Sequence, residues 1–381
     1  MKSLVLYPYP VELDGVSIQG EMLYRGLSEN GGEAAACDLN AKYEKEWKYD
    51  SFKPDVAVGI GYWGNTPEII MHPQEHGIQP VPWLNADGWI ANYHELLNSL
   101  PLMLVTSNWV KYTYNRDGVT NPNIEVAHIG IDTNEMRPLP KDDPGVLKIR
   151  EQLKIKPDEK MILTVGGDTT SKGFQEVLKA LGKIQGEIGK WKYVGKSWEN
   201  GQPHYHRKAE LKIMREMGIK RKNIVFIDGA LSRNYVCHLM NACDVYAGPS
   251  RIEGFGMTQV EAQACGKPVL GIDAMGVKDT IVHGETGLLA KVGEEILLEE
   301  EWAYKHHGFP KKVKIKFPEP RVMDVRADVD SVAEHLLRLM TDDELREKMG
   351  QKAREHAVKN FHYTVTAKHI SDTIKRKIGL E

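Results

Sequence analysis

Short apolar strands alternate with helices along almost the whole chain, and the alternation stops and restarts once. Strands read at 2–7, 33–39, 55–60, 80–85, 102–106 and 124–128, with helices over 18–30, 89–99 and 107–117. Gly31-Gly32 supplies the glycine that closes the first helix. This alternation predicts a parallel sheet covered on both faces. The Pro- and charge-rich run Arg137-Pro-Leu-Pro-Lys-Asp-Asp-Pro144 interrupts it. Strands then resume at 161–166, 191–195, 224–228, 244–248, 268–272 and 288–291, with helices over 173–186, 206–217, 232–241, 257–265 and 276–282. A chain of 381 residues favours two domains. The expected fold class is therefore α/β, with two Rossmann-like doubly wound domains facing each other across a cleft. The boundaries read as 1–140 for the first domain, 141–158 for a linker and 159–360 for the second. Such sheets bind ligands outside the carboxyl ends of their strands.

Composition narrows the function. A hydrophobic content of 41% is enough for two cores, and a net charge of −3 argues against a nucleic-acid binder that relies on global positive charge. Basic runs at Lys311-Lys312-x-Lys314-x-Lys316 and Lys375-Arg376-Lys377 read as solvated surface, with a weak contact to anionic lipid as the sharper reading. Cys37, Cys237, Cys243 and Cys265 form no C-x-x-C pair and have no zinc-spaced partners, so they are expected to be buried thiols in a reducing compartment. No stretch approaches the roughly 20 apolar residues that a membrane span needs. The first residues open directly as a strand rather than a signal peptide. A cytoplasmic protein, or one peripheral to the inner face of a membrane, is expected.

The densest chemistry lies at 249–268, which reads Pro-Ser-Arg-Ile-Glu-Gly-Phe-Gly-Met-Thr-Gln-Val-Glu-Ala-Gln-Ala-Cys-Gly-Lys-Pro. It leaves a strand through a glycine-rich loop and enters a helix. The first turn of that helix offers unpaired N–H groups and the positive end of a dipole to an anion. Gly254 and Gly256 allow a ligand to approach the backbone. Glu253 precedes the helix and Glu261 lies a little over one turn inside it. At about 1.5 Å per residue the two carboxylates should stand on the order of 10 Å apart. That spacing suits a sugar, a phosphate pair and a ribose in series. A carboxylate accepts hydrogen bonds from two ribose hydroxyls, and one beside the sugar orients a hydroxyl or steadies positive charge.

Residues 244–290 resemble the signature region of family 4 retaining glycosyltransferases (glycosyltransferase group 1), which have the GT-B fold. The matching pattern is Asp244-Val245…Pro249-Ser250-x-x-Glu253-Gly-Phe-Gly…Glu261-Ala262…Gly266-Lys-Pro-Val269…Gly276…Gly284-x-Thr286-Gly287-Leu288-Leu289. Ser107-Asn-Trp-Val…Gly130-Ile-Asp132…Pro138 is similar to the end of the family's first domain. Ile162-Leu-Thr-Val-Gly166…Lys172-Gly173 is similar to the opening of its second.

The resemblance implies a donor set of Gly15, Gly166, Gly167, Lys172, Arg251, Gly254, Phe255, Gly256, Met257, Thr258 and Glu261. Glu253, Lys172 and Asp87 would have catalytic roles. Weaker contacts to the base would come from Gly229, Ala230 and Leu231. Residues 1–140 would be the acceptor side, with a terminal helix over 361–381 packing back onto it, and 159–360 would hold the nucleotide sugar. The implied reaction moves a hexose from a nucleotide diphosphate sugar, of the UDP-glucose or GDP-mannose type, to a hydroxyl on a glycan, lipid or small molecule. No cofactor is obligatory and no metal ligands are assigned. The rival readings are an epimerase or phosphorylase on the same fold, or a non-catalytic nucleotide-sugar binder.

The chain departs from the family in three places. Gly167 stands where many members carry Arg, leaving Arg251 or Lys196 to supply a second cation. Trp83-Leu-Asn85-Ala-Asp87-Gly88 lacks the family His, so Asp87 takes its place, although Asp87 also reads as a helix cap near Trp89. Residues 292–327 exceed the usual short connection and read as an ordered excursion.

Other features have plainer readings. Asp14-Gly15-Val16-Ser17 is equally a simple strand–helix turn. His94 and His128 read as structural, and His204-Tyr205-His206 as an exposed loop. Asp328-Val329-Asp330 reads as helix capping rather than metal binding. Ser331-x-x-Glu334 and Thr341-x-x-Glu344 read as capping boxes.

Overall fold

The computed structural model describes residues 1–86, 88–199 and 201–380. The chain divides into two compact units. Unit 1 comprises Met1–Asp132, Leu297–Met323 and Asn360–Glu381, and unit 2 comprises Thr133–Ile296 and Asp324–Lys359.

Unit 1 is built on strands β1 (Lys2–Tyr7), β2 (Glu33–Asp38), β3 (Val56–Tyr62), β4 (Gln79–Asn85), β5 (Met103–Val105) and β6 (Ile124–Val126). They form one parallel sheet in the order β2-β1-β3-β4-β5-β6. Leu4 pairs with Ala35 on one side and Ala57 on the other. Leu4, Val5 and Leu6 are all fully buried, which is why β1 reads as a continuous apolar run rather than an alternating one. The helix Gly15–Glu29 starts where the Asp14 carboxylate accepts the N–H groups of Val16 and Ser17 at 2.9 and 3.0 Å. Its Gly26 lets the last helix, Tyr363–Ile378, pack closely: a Cβ there would stand 2.5 Å from the Ala367 Cβ. Arg25 joins the same contact by pairing with Asp132 at 2.9 Å and lying over the Tyr363 ring.

The helix expected over 89–99 is shorter, His94–Ser99, because Tyr93 takes a left-handed conformation (φ 64°) just before it. Two of the longer helical stretches of this unit were not foreseen. Lys42–Phe52 buries only Lys45 and Tyr49, too few positions to produce an apolar stripe. Pro67–Met71 has π geometry and runs on into the single α-turn His72–Glu75.

Unit 2 carries β7 (Lys160–Val165), β8 (Trp191–Ser197), β9 (Ile224–Asp228), β10 (Val245–Ala247), β11 (Val269–Ile272) and β12 (Gly287–Ala290). The sheet is again parallel, in the order β12-β11-β10-β7-β8-β9. Phe174 stacks on Tyr193 at 4.2 Å, and the Tyr193 hydroxyl lies 2.7 Å from that of Thr164. The expected linker contains the helix Pro144–Gln152, whose signal is Asp143 as cap and Pro144 at the first helical position.

The long excursion is a two-stranded ribbon, β13 (Val292–Ala303) and β14 (Val313–Ala327). Val313, Ile315 and Phe317 of β14 pack against the unit 1 core. His307, between the strands, stands against the rings of Tyr62, Trp63 and Trp89. Arg321 pairs with Asp117 at 2.9 Å.

Asp328 caps the helix Val329–Thr341 by accepting the Ser331 N–H at 2.7 Å, in agreement with the capping reading of Asp328-Val329-Asp330. The two expected capping boxes are corrected. Asp328 and Asp342 are the capping side chains, while the Ser331 hydroxyl accepts the Lys291 N–H and the Thr341 hydroxyl donates to the Leu337 carbonyl. Carboxylates adjacent in sequence outcompete the hydroxyls as acceptors. All four cysteines are free and buried. No helix among the described residues is long and apolar enough to cross a membrane.

Candidate functional site

In unit 2, β7 pairs with β8 on one side and β10 on the other. The chain reverses its direction of winding there, which is where open α/β sheets hold ligands. Two loops meet at that point, 166–173 after β7 and 248–256 after β10. They interlock closely: a Cβ on Gly173 would stand 2.3 Å from the Pro249 carbonyl oxygen. Gly166 has a similar role, because a Cβ there would be 2.6 Å from the Lys172 Cγ.

This packing brings Lys172 and Glu253 together. Lys172 Nζ donates to Glu253 Oε2 at 2.5 Å, and both side chains are largely buried. Glu253 Oε1 accepts the Gly256 N–H at 3.1 Å, and the Ser250 hydroxyl lies 3.3 Å from Oε2. Each loop ends in a glycine with positive φ, Gly173 at 83° and Gly256 at 100°. Each glycine opens a helix, Phe174–Ile184 and Met257–Ala264, with no side-chain cap. The first intrahelical bond of Met257–Ala264 runs from the Val260 N–H to the Gly256 carbonyl, so the N–H groups of Met257, Thr258 and Gln259 have no acceptor within the helix. Thr258 is held by the Tyr246 hydroxyl at 2.8 Å, and Phe255 is buried. Gly254 lies against Gly276, where a Cβ would stand 2.1 Å from the Gly254 carbonyl oxygen.

Glu261 lies inside the same helix, buried, and pairs with Arg233 at 2.7 Å. Arg233 also binds Glu135 at 2.8 Å. Burial pulls the Arg233 pKa down, but Glu261 and Glu135 outweigh it and hold the guanidinium firmly charged. Neither Arg233 nor Glu135 stands out in the sequence, because nothing in their spacing announces a contact with the 249–268 segment.

Arg251 is redirected from the cation role expected of it. Its guanidinium is buried against Glu176, at 2.6 and 3.2 Å, and Gln175. Lys196 sits at the end of β8, where its carbonyl accepts the Gly166 N–H. The side chain is buried and has no hydrogen bond or ion pair among the described residues, and desolvation lowers its pKa. Gly167 lies under the Trp198 ring, 3.1 Å from where its Cβ would be. Gly229, Ala230 and Leu231 follow β9, with the Gly229 N–H on the Ser197 carbonyl.

A further buried acid, Glu210, braces the 166–173 loop. It accepts from the Thr170 hydroxyl at 3.2 Å and the Gln202 amide at 2.8 Å, with Arg207 at 3.2 Å. Burial raises its pKa to about 7.

In unit 1, Gly15 is exposed at the start of its helix. Asp87 lies outside the described residues. Asn85 is tied to Gln19, Thr106 and Tyr114. His94 is held by the Asp117 carbonyl, and His128 lies against Phe361, as structural residues would be. His204, Tyr205 and His206 open the helix His204–Glu216 instead of forming a loop, and His206 Nδ1 stands 3.1 Å from Asp168.

Two six-stranded parallel sheets of this order, each with its helices, match the GT-B fold. Sucrose-phosphate synthase from Thermosynechococcus elongatus superposes with a TM-score of 0.74 at 16% identity over the whole of both chains. Anabaena HepE, solved in complex with UDP-glucose, does so with a TM-score of 0.69 at 15% identity, covering 99% of this chain and 100% of that one. Residues 146–304 match the family described as glycosyl transferases group 1. Over that segment the chain is similar to the group 1 glycosyltransferases. Among curated relatives, the N-acetyl-alpha-D-glucosaminyl L-malate synthase of Bacillus anthracis is 25% identical over 215 residues, 56% of this chain and 45% of that protein. The D-inositol 3-phosphate glycosyltransferase of Corynebacterium efficiens is 28% identical over 237 residues, 61% of this chain and 46% of that protein. The chain thus spans less than half the length of these relatives.

Proposed function

We propose that the protein transfers a hexose from a nucleotide diphosphate sugar to a hydroxyl acceptor, with retention at the anomeric carbon. The observation that carries this reading is the Lys172–Glu253 pair at 2.5 Å, set between two uncapped helix starts at the strand-order reversal. Positive charge from Lys172 and the two helix N-termini suits a diphosphate. Lys196 is a further cation near Gly166, so the leaving group has charge partners without an obligatory metal. Glu253 sits beside the sugar and Glu261 takes the ribose hydroxyls, sharing its carboxylate with Arg233.

In the reaction, the bond from C1 to the diphosphate oxygen breaks and the leaving group keeps the electron pair. The acceptor oxygen bonds to C1 on the same face, and its proton passes to the departing phosphate. The sugar passes through an oxocarbenium-like state, which Glu253 supports without bonding to it. Names of relatives suggest small hydroxy acids and inositol phosphates as first acceptors to try.

The test incubates the intact chain with UDP-glucose or GDP-mannose, with and without such acceptors, and reads the product by NMR. An α-linked product from an α-linked donor supports the reading. An inverted product overturns retention. An epimerised or phosphorolysed donor, or tight donor binding with no transfer across the panel, overturns the transferase assignment.

A further inference from the structure

Unit 1 holds a cluster of ligating side chains that shares no residue with the donor site. Glu46 comes from the helix Lys42–Phe52, His72 from the end of the 67–75 helical stretch and His76 from the residue that caps it. The four-residue spacing puts both imidazoles on one face of a helix, with ring centroids 4.6 Å apart. His72 Nε2 lies 3.7 Å from Glu46 Oε1, and His76 Nε2 lies 3.6 Å from the same oxygen.

Those distances decide between two readings. They are too long for hydrogen bonds, so Glu46 is not simply an acceptor for two ring N–H groups. They are close to the separation of two ligands on one ion: zinc–nitrogen and zinc–oxygen bonds of about 2.0–2.1 Å at tetrahedral angles place ligand atoms roughly 3.3 Å apart. His72 Nε2 is buried and has no hydrogen-bond partner among the described residues.

The outer contacts fit as well. His76 Nδ1 lies 2.9 Å from the His72 carbonyl, which fixes its proton there and leaves the Nε2 lone pair facing Glu46. His72 Nδ1 lies 3.2 Å from the Tyr49 hydroxyl, a second orienting partner. The charged groups around His72 are Glu46, Glu75 and Lys45. The Lys45 ammonium is buried and turned to the Glu68 carbonyl at 3.0 Å.

We infer that Glu46, His72 and His76 form a binding site for a divalent transition-metal ion, zinc by preference, that clamps the helix Lys42–Phe52 to the turn before β4. Imidazole with one carboxylate is a donor set suited to zinc. The three protein ligands leave a fourth position for water.

The experiment strips the intact chain with a chelator, then titrates it with Zn²⁺ and, separately, with Co²⁺ as a spectroscopic probe. One saturable equivalent is expected, with a four-coordinate Co²⁺ absorption spectrum and a Zn²⁺-dependent rise in Tm. His76→Gln and Glu46→Gln, both at partly exposed positions, should each weaken binding by at least the roughly 10–100-fold expected for lesser, outer-contact losses and abolish the Tm rise. Tyr49→Phe should weaken it by about tenfold. Circular dichroism shows whether the variants keep the fold. Absence of saturable binding to the wild type overturns the inference. So does an equivalent that persists in both ligand variants, since it must then sit on other histidines such as His306 and His307.

Discussion

Replacing Glu253 with glutamine should move ligand binding and turnover in opposite directions. Lys172 Nζ is 2.5 Å from Glu253 Oε2. A phosphate oxygen bound to the same ammonium at about 2.8 Å would lie roughly 5 Å from that carboxylate. Two negative charges at about 5 Å repel by on the order of 3 kcal/mol in an effective dielectric of about 20. Solvent at this partly open site reduces that figure, and about 1.4 kcal/mol corresponds to tenfold in affinity. Glu253→Gln keeps the shape, removes the repulsion and releases Lys172. Affinity for UDP or GDP should therefore rise roughly tenfold, with about a hundredfold as the ceiling. Transfer should fall by about 10²–10³, the usual effect of losing one preorganised electrostatic group. Calorimetric titration at fixed ionic strength gives the first quantity, and nucleoside diphosphate release during turnover gives the second. If the variant binds the nucleotide more weakly, Glu253 is not in electrostatic competition with a phosphate at Lys172, and the placement of the donor is wrong.

Three further outcomes are expected. Arg251→Ala strips the partner from buried Glu176 and should cost about 3 kcal/mol of stability, read as a lower denaturant midpoint; an unchanged midpoint would show that the pair contributes nothing. Glu210 has a folded pKa of about 7 against 4.5 for a free carboxyl. The folded state therefore holds the proton more tightly, and this group's contribution to stability falls as pH rises from about 4.5 through 7. In Glu210→Gln that part of the slope should vanish from a series of denaturation curves. Glu261→Gln should raise the donor KM more than it lowers kcat, because ribose binding is shared by ground and transition states; a pure kcat loss would remove Glu261 from the ribose.

The sheets were legible because their strands are buried on both faces, as with Leu4, Val5 and Leu6, and so read as uninterrupted apolar runs. The loop-to-helix segment around Glu253 was legible for a different reason: Gly254 and Gly256, lying between a strand and a helical run, mark a loop that opens a helix. Contacts far apart in sequence were not. Glu261 meets Arg233 through the packing of two helices, Arg251 reaches Glu176 from a loop onto a third, and no local pattern encodes either pair. The His72-x3-His76 spacing stands in the sequence but was not singled out there, and Glu46, its third member, joins it only through the fold. The ribbon was missed although β14 alternates in the half-buried manner, Val313-Lys-Ile315-Lys-Phe317. Its basic positions drew notice as surface charge, and the two-residue period between them went unused.

Unit 1 is made from three stretches of chain, the last of which supplies the helix Tyr363–Ile378 against Gly26 and Arg25. During synthesis, the strands of β1 to β6 emerge first yet must wait, with one helix face bare, until residue 378 has left the ribosome. Most of unit 2 is contiguous and can mature in the meantime. A chain cut before residue 363 would leave the Gly26 face of the helix Gly15–Glu29 without the helix that covers it.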